Sequence, residues 1–423
     1  MKAKYIWPKV KLLQVTKRIR NGLSVKQDSN SGGLPISRIE TISDSIIDPK
    51  KVGFADIGDG DRDEWLLQKG DILFSHINSE SHIGKCAIYA DIPLKLIHGM
   101  NLLSLRVNKK LISPEYLCLV LRSDLFKKQL KPIIKRAVNQ ASVSIGNLQQ
   151  LTLPLPTLSE QRRIVKILDQ ADHLCKLRAQ SNIKVERILP ALFIKRFGNP
   201  ATNPMGWRIT KVREVVKSVN RRDPSQFPDK QFTYIDIAGV DGTKGKILSA
   251  KRLIGADAPS RARQVIQTND TLVSTVRPYL RATATVSEDF DGEIASTGFC
   301  VLRPKQHYGY SWLYVLTRLQ WFTERLNERA RGASYPAVTD TDIFDLQIPV
   351  PEHEKLLCLF DNEVNRLRQL DSHRILLDEK IGSLFSMLMY RACSGALTAA
   401  WREAHMKELL VEMEQQTKAL NDH

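Results

Sequence analysis

The segment Gly70-Asp-Ile-Leu-Phe-Ser75 recurs 199 residues further along the chain as Asn269-Asp-Thr-Leu-Val-Ser274. Each copy places a turn residue and an aspartate before a short apolar run, a pattern typical of a strand that follows a tight turn. Upstream, Trp7-Pro-Lys-Val-Lys-Leu12 aligns with Trp207-Arg-Ile-Thr-Lys-Val212, at a shift of 200 residues. Matches at nearly equal shifts indicate that one structural unit is present twice.

The repeat continues toward the C-terminus with a slowly decreasing shift. Arg136–Ser144 resembles Arg331–Thr339, and these segments lead into Leu153-Pro-Leu-Pro156 and Ile348-Pro-Val-Pro351, at a shift of 195 residues. Short loop deletions in the second copy would produce this drift, as expected of two diverged copies of one unit.

Each copy begins with a part whose pattern predicts strands and turns. Residues 1–155 and 201–350 contain short apolar runs separated by Gly, Asn and Asp, which is typical of strands joined by turns. One helix is predicted within each part, over Pro114–Leu130 and Tyr310–Leu326. We therefore predict two tandem domains of mixed α/β (α+β) fold.

Each copy then changes to helical periodicity. Residues 156–200 and 351–400 place apolar side chains at the 3-4 spacing of a helix seam, and each should form one helix of about 35 to 40 residues and about 50 to 60 Å. Because helices of this length need a partner for their apolar seam, we predict an antiparallel coiled-coil spacer, with two separate surface helices as the alternative. Residues 401–423 are assigned to a C-terminal tail.

The net charge favours a polyanionic partner. The 423 residues, enough for two to four domains, carry 63 Lys and Arg against 46 Asp and Glu, which gives a net charge of +17. A field of this sign attracts nucleic acid. The six cysteines are scattered without a Cys-x-x-Cys pair, which argues against a zinc site or a disulfide framework. Neither a signal peptide nor a run of about 18 apolar residues is present, so we expect a soluble, cytoplasmic protein.

Signatures of catalysis are weak in this sequence. It contains neither a G-x-x-x-x-G-K-[ST] phosphate loop nor a G-x-G-x-x-G motif. Asn203-Pro-Met-Gly206 lacks the second proline and the aromatic residue of the Asn-Pro-Pro-Tyr motif of amino-methyltransferases. Asp371 and Asp378 lie within a predicted helix, where charged residues normally face solvent. We therefore predict no catalytic residue and no metal site.

The order of motifs along the chain resembles that of one known family. Leu153-Pro-Leu-Pro156 is followed by Ser159-Glu-Gln161 and a long helix, after which Phe197-Gly-Asn-Pro200 and Gly206-Trp207 lead into the second globular part. This order, which extends over essentially the whole chain, resembles the specificity (S) subunit of Type I restriction-modification systems. The second copy departs from the family pattern, since Pro351-Glu-His-Glu-Lys355 lacks the Ser-Glu-Gln step.

The resemblance implies a division of labour among subunits. Residues 1–155 and 201–350 would be target-recognition domains that each recognise half of an asymmetric, bipartite DNA site. The two helices would form the spacer and dock two methyltransferase (M) subunits, and restriction (R) subunits would complete the complex. S-adenosylmethionine, ATP and Mg would belong to those partners, with no cofactor on this chain. Two alternatives remain: a scaffold or RNA-binding repeat protein without specific DNA reading, and an enzyme with an unrecognised active site.

Candidate DNA-contacting residues come from corresponding loops of the two copies. The polar loop Ser75–His82 has short hydrogen-bonding side chains, and its counterpart Ser274–Arg281 offers a tyrosine and arginines, which can pair with guanine. The loops Arg136–Ser144 and Arg331–Tyr335 are similar to each other, which suggests a shared contact with phosphates. Solvated turns or helix faces are the alternative interpretation. The full set is Arg38, Ser75, His76, Asn78, Lys135, Arg136, Asn139, Gln140, Ser142, Tyr234, Thr275, Arg277, Tyr279, Arg281, Arg331, Ser334 and Tyr335.

Overall fold

The computed structural model divides the chain into two compact units. It describes residues 7–28, 32–58, 60, 63–137 and 140–421. The first unit comprises residues 1–176 and 379–423, and the second comprises residues 177–378. The boundary between them crosses both long helices. Each unit therefore contains one globular part and one segment of each long helix.

The first unit contains two four-stranded sheets. One is antiparallel, with strands in the order Thr16–Asn21, Leu102–Val107, Ile72–Ser75 and Cys86–Ile88. The other has the order Gln27–Asp28, Val52–Ala55, Leu34–Ser37 and Ile97–His98, and its last two strands are parallel. A two-stranded ladder pairs Lys9–Lys11 with Thr152–Pro154. This ladder joins the two ends of the globular part.

The second unit repeats this arrangement. Its antiparallel sheet has the order Val216–Lys217, Phe299–Pro304, Thr271–Ser274 and Thr283–Thr285. Its other sheet has the order Lys251–Ile254, Gln231–Ile235, Ile294–Ser296 and Ala262–Val265, with the two central strands parallel. A ladder again joins the ends, between Arg208–Lys211 and Gln347–Val350, and a small hairpin pairs Val240–Asp241 with Lys246–Ile247. The mixed α/β character predicted from the sequence is confirmed in both units.

A turn followed by a buried ion pair occurs at the same place in both units. The turn residues Gly70 and Asn269 have positive φ angles of 92° and 70°, which glycine adopts without strain and asparagine tolerates. The aspartate after each turn is buried and accepts two hydrogen bonds from one arginine. The pairs are Arg106 with Asp71, at 2.8 and 2.7 Å, and Arg303 with Asp270, at 2.9 and 2.7 Å. The repeated segment that marks the two copies thus also fixes a repeated polar contact.

The two inner helices are each divided, so the prediction of a single helix in each copy is wrong. The observed helices are Pro114–Arg122 and Asp124–Leu130 in the first unit, and Tyr310–Arg318 and Gln320–Asn327 in the second. At the junctions, Ser123 and Leu319 have extended backbone with ψ near 149° and 146°. The Ser123 hydroxyl accepts a hydrogen bond from the Phe126 N–H, which caps the second helix. Apolar periodicity continues across both junctions and therefore conceals the break.

Short helices complete each globular part. They are Leu12–Val15 and Ile145–Gln149 in the first unit, and Val212–Val215 and Asp340–Phe344 in the second. Their buried residues, among them Leu12, Leu148 and Val212, add to the core beneath the ladder in each unit.

The long helical segments run antiparallel within the second unit. The prediction of one long helix holds for the second copy, Glu354–Cys393, and is wrong for the first, which is divided at Arg187 into Leu158–Glu186 and Ile188–Phe197. Arg178 donates to Asp378 at 2.7 Å, and eighteen residues later Arg196 pairs with Glu363. The residue number on the second helix falls from 378 to 363 while that on the first helix rises from 178 to 196. The two segments therefore run in opposite directions. Phe197 packs edge-on against Phe360 with ring centroids 5.0 Å apart.

The first unit packs its own helical segments into its core. Ile164 and Leu168 on the helix Leu158–Glu186 are buried in the same cluster as Ala392, near the end of Glu354–Cys393. The chain after that helix, which sequence analysis assigned to a tail, forms the helices Ala399–Ala404 and Met406–Asn421. The second of these buries Leu409 and Gln416. The final segment is thus a packed part of the first unit.

The Ser-Glu-Gln step connects three distant parts of the first unit. The buried Glu160 carboxylate accepts hydrogen bonds from Trp7 Nε1 and from Arg402 Nε, both at 2.9 Å. The Gln161 side chain accepts from the Ser113 backbone N–H at 2.8 Å, at the start of the helix Pro114–Arg122. In the second unit, which lacks the motif, Asp361 accepts from the Ser311 N–H at 2.9 Å. The first turn of the inner helix Tyr310–Arg318 is thus also bonded to a side chain of the long helix, although at a different position.

The described helices include none that is long and apolar enough to cross a membrane.

Candidate nucleic-acid interface

Two of the candidate loops meet in the first unit as a small sheet. Ile77–Asn78 pairs with Gln140–Ser142, which in turn pairs with Lys135–Ala137. We call these three strands the first ribbon. Segments that lie about 60 residues apart in the sequence are thus brought side by side.

The corresponding loops also meet in the second unit. Val276 forms a bridge with Ala337, and Ala337 forms another with Arg331. The Arg277 N–H donates to the Pro336 carbonyl at 2.7 Å. We call the segments Thr275–Arg281 and Arg331–Val338 the second ribbon. It lies at the place in its repeat that the first ribbon occupies in the other.

Candidates at the base of each ribbon are buried and hold it to the underlying sheet. The two ring nitrogens of His76 lie 3.3 Å from the Val143 carbonyl and 3.2 Å from the Met100 carbonyl, and burial lowers the pKa of this histidine. Thr275 donates to the Gly298 carbonyl at 2.9 Å. The Ser75 hydroxyl accepts from the Asn78 amide at 3.3 Å. These side chains are committed to internal contacts, so we assign them a supporting position.

Candidates on the outer side of the ribbons are exposed and mostly cationic. In the first ribbon Lys135, Arg136 and Gln140 are exposed and Ser142 is half-buried. Asn139 lies outside the described residues. Arg136 pairs with Glu80 at 2.8 Å, with 70% of its side chain still exposed. An ion pair this exposed adds little stability and can be exchanged for a phosphate contact.

The outer side of the second ribbon carries two arginines and two tyrosines. Arg281, Ser334 and Tyr279 are exposed, as is Tyr335, whose relative exposure is 69%. Arg331 pairs with Asp342 at 3.2 Å. These groups offer guanidinium donors, a hydroxyl and aromatic faces, all of which bind nucleic acid.

Arg277 occupies a distinct position in this ribbon. Its guanidinium carbon lies 4.4 Å from the centroid of the Tyr335 ring. Its backbone is left-handed, with φ 49°, a conformation that costs a non-glycine residue about 1 kcal/mol or more. The backbone hydrogen bond to Pro336 holds it there. The fold therefore maintains this arginine in a conformation that the isolated chain would avoid.

Two further candidates lie outside the ribbons. Arg38 is half-buried, and its Nε donates to the Gln27 side chain at 2.9 Å. Tyr234 is only 5% exposed and packs in a hydrophobic cluster with Phe232 and Ile294. We therefore leave Tyr234 out of the interface of the second unit, because its ring has no open face.

A basic edge strand was missed by sequence reasoning. Thr16–Asn21 lies at the edge of the first antiparallel sheet and carries Lys17, Arg18 and Arg20. The guanidinium carbon of Arg20 lies 3.4 Å from the centroid of the Trp65 ring. The sequence signal that could have revealed this basic strand is a run of three cations within four residues. No acidic residue is adjacent to that run.

The two acids of the second long helix that were weighed as catalytic candidates, Asp371 and Asp378, are engaged in ion pairs. Asp371 pairs with Lys246 at 2.7 Å, and Asp378 pairs with Arg178 at 2.7 Å. Among the described residues, no group of three or more His, Cys, Asp or Glu side chains could hold a metal ion. What the described residues of each ribbon bring together is a set of hydrogen-bond donors.

The fold and the ribbons define a class: a protein with two repeated mixed α/β domains, each of which presents a basic two-loop ribbon. Comparisons with known proteins identify the family. The profile described as "Type I restriction modification DNA specificity domain" matches residues 6–187. The putative type I restriction enzyme MjaX specificity subunit of Methanocaldococcus jannaschii is 32% identical over 391 residues, which cover 86% of this chain and 87% of that protein. The chain therefore belongs to the family of type I restriction-modification specificity subunits.

Further similarities extend over shorter or more divergent alignments. The EcoKI specificity subunit of Escherichia coli is 24% identical over 203 residues, 47% of this chain and 44% of that protein. The HsdS subunit from Thermoanaerobacter tengcongensis is 40% identical over 42% of this chain and 46% of that chain, with a TM-score of 0.36. The S subunit structure from M. genitalium covers 93% of this chain and 98% of its own, with 13% identity and a TM-score of 0.52. This last likeness concerns the fold alone.

Proposed function

We propose that this chain recognises a bipartite, asymmetric DNA target, with one half-site bound by residues 1–155 and the other by residues 201–350. The observation that carries the proposal is that each unit presents a ribbon at the same place in its fold, with different outward side chains. A shared framework gives both domains the same mode of approach to the duplex. Different outward side chains then select different bases.

The charge distribution supports separate contacts with phosphates and bases. Phosphate contacts provide affinity and register, whereas base edges provide sequence discrimination. In the first ribbon, Lys135 and Arg136 suit phosphate contact and Gln140 suits an adenine edge. In the second ribbon, Arg281 and Arg331 suit phosphates and Arg277 suits guanine. The net charge of +17 raises the local concentration of DNA around the whole chain.

We propose further that residues 156–200 and 351–400 form the spacer between the recognition domains and dock two methyltransferase subunits, with restriction subunits completing the complex. In support, the long helices expose several large apolar side chains: Leu174, Leu177, Leu370, Leu376, Leu384 and Met387. Exposed apolar side chains in such number are characteristic of a protein–protein interface. The methyl-transfer and cleavage chemistry would then belong to the partners, and this chain would supply the target.

The decisive experiment is an exchange of one domain followed by mapping of the methylated motif. Residues 201–350 are replaced by the equivalent domain of a relative, and the chain is expressed with its methyltransferase partner. We expect one half of the motif to change while the other half and the gap are retained. The reciprocal exchange of residues 1–155 is the matched control and should change the other half only. Methylation that lacks a defined motif, or a motif altered in both halves by one exchange, would contradict the proposal and favour a scaffold or RNA-binding role.

A further inference from the structure

The second ribbon contains one contact that the first ribbon lacks. Arg277 and Tyr335 come from segments 58 residues apart and stack at 4.4 Å. The corresponding residues of the first ribbon, at shifts of 199 and 195 residues, are Asn78 and Gln140, which offer neither a guanidinium nor an aromatic ring. The two ribbons therefore present different chemistry at comparable positions.

Arg277 differs in its surroundings from two other ribbon arginines, Arg331 and Arg136. Arg331 pairs with Asp342, and Arg136 pairs with Glu80. Within the described part of the chain, no carboxylate forms an ion pair with Arg277. Its neighbour is instead a neutral ring that leaves the full positive charge available. A guanidinium without an acidic partner is ready to bind an external acceptor.

The orientation of the Arg277 guanidinium is restricted at one end. Its Nε is buried and has no hydrogen-bond partner, whereas its two terminal nitrogens are neither buried nor bonded within the described residues. The guanidinium carbon lies over the Tyr335 ring, 4.4 Å from its centroid. The N–H groups of the two terminal nitrogens are therefore free to donate a pair of parallel hydrogen bonds, in the arrangement called a fork. Such a fork matches the O6 and N7 acceptors of guanine.

We infer that Arg277 reads a guanine in the second half-site and that Tyr335 is the positioning residue that fixes the plane of its guanidinium. The inference rests on the proposed function and adds to it a base, a half-site and a second residue. Tyr335 itself need contact no base. Because the stack uses the ring face, the phenol hydroxyl is dispensable, and phenylalanine should replace tyrosine without loss of discrimination.

The test measures discrimination at single base pairs with the full chain in complex with its methyltransferase partner. Binding is measured for duplexes that carry the mapped motif with each of the four base pairs at each position of the second half-site. The variants are Arg277→Ala, Arg277→Lys, Tyr335→Ala and Tyr335→Phe. Phe227→Ala, which removes an exposed ring that lies beneath Lys230 in the second unit but outside the ribbon, is the matched control. Thermal unfolding of every variant establishes that the second unit remains folded.

We expect Arg277→Ala to lower the preference for a G·C pair at one position by about tenfold to a hundredfold. Arg277→Lys should relax the same position, because an ammonium is a point charge and not a fork. Tyr335→Ala should relax that position and no other, by about two- to fivefold. Tyr335→Phe should retain the preference. Adding Tyr335→Ala to Arg277→Ala should cause no further relaxation, because the ring acts only through the arginine.

Three results would overturn the inference. In the first, Tyr335→Ala leaves the preference unchanged. In the second, it weakens binding to all duplexes equally, as loss of a phosphate contact would. In the third, Arg277→Ala relaxes a position that prefers a base pair other than G·C. In each of these the wild type still shows a bipartite motif, so the proposed function survives. A wild-type complex without sequence preference would overturn both.

Discussion

Two buried histidines hold the loops of the first unit in place. His76 lies between two backbone carbonyls at the base of the first ribbon. His98 is fully buried on the parallel strand pair, with Nδ1 3.3 Å from the Trp65 carbonyl and its ring 5.8 Å from the Trp65 ring. Burial lowers the pKa of His98 to about 4, because the imidazolium would lose its hydration. The folded first unit thus requires this imidazole to be neutral.

This requirement predicts an acid-sensitive first unit. The pKa of His98 is near its ordinary value of 6.5 in the unfolded chain and about 4 in the folded chain. Between these values the unfolded chain binds one more proton, so stability falls as the pH falls. We expect a loss of about 2 to 3 kcal/mol between pH 7 and pH 4.5 from this group. The measurement is chemical denaturation across that range.

The control compares how steeply the free energy of unfolding changes with pH in each variant, and not the free energy itself at one pH. His98→Gln should flatten the pH dependence of the free energy of unfolding, even where it lowers stability at pH 7. His173→Gln, at an exposed position on a long helix, should leave the slope as it is in the wild type. An unchanged slope in His98→Gln would assign the acid sensitivity to other groups.

At the scale of elements, the long helices combine buried seams with ion pairs. In the second unit, Phe193 and Phe197 meet Phe360 at the apolar seam, and Arg178 and Arg196 pair with acids on the facing segment. The seam supplies most of the stability, because partly exposed ion pairs contribute little. The pairs instead fix the direction and register, since a parallel arrangement would separate them.

The antiparallel direction can be tested by crosslinking within the second unit. With Cys175 and Cys358 replaced by serine, a bismaleimide of about 10 Å should join Arg196→Cys to Glu363→Cys. The matched pair Arg196→Cys with Asp378→Cys should not react, because 15 residues of helix separate positions 363 and 378, or about 22 Å. Efficient reaction of the second pair and not the first would show that the helices run parallel. The readout is the shift of the crosslinked chain on a denaturing gel.

At the scale of the whole molecule, excess positive charge accompanies an ordinary globular composition. Charged residues make up 26% of the chain and hydrophobic residues 42%, so the net charge of +17 is distributed over folded units and not over a separate basic tail. Each unit contributes its own exposed cations, at Lys135 and Arg136 in one and at Arg281 in the other. Affinity for DNA should therefore combine contacts from both units.

Binding that depends on phosphate contacts should be strongly sensitive to salt. For about six phosphate contacts, affinity should fall by roughly a thousandfold between about 50 and 200 mM salt, because DNA binding releases condensed counterions. Lys135→Ala should lower the slope of log K against log salt by about 0.9 if this lysine contacts a phosphate. Lys355→Ala removes the same charge at an exposed position at the start of a long helix and should leave the slope unchanged. A flat salt response in the wild type would contradict phosphate-driven binding.

The sequence alone determined the repeat, the α/β character of each copy and the long helices. These features follow from local patterns: apolar residues alternate in strands and recur every three to four residues in helices, wherever the segment lies in the fold. The correspondence of Gly70 with Asn269 was correct for the same reason, since a turn places its own demand on the backbone. The family resemblance likewise depends on the order of short motifs, which needs no tertiary structure.

Only the tertiary structure decided which candidate side chains are available to a ligand. Tyr234 and His76 are buried while Arg281 and Tyr335 are exposed, although all four lie in polar or mixed segments. The stack of Arg277 on Tyr335 likewise depends on two loops meeting. The physical reason is that burial and long-range contact are set by segments distant in sequence, whose closure costs entropy that the whole core must offset. A local pattern carries no information about which distant segment provides that contact.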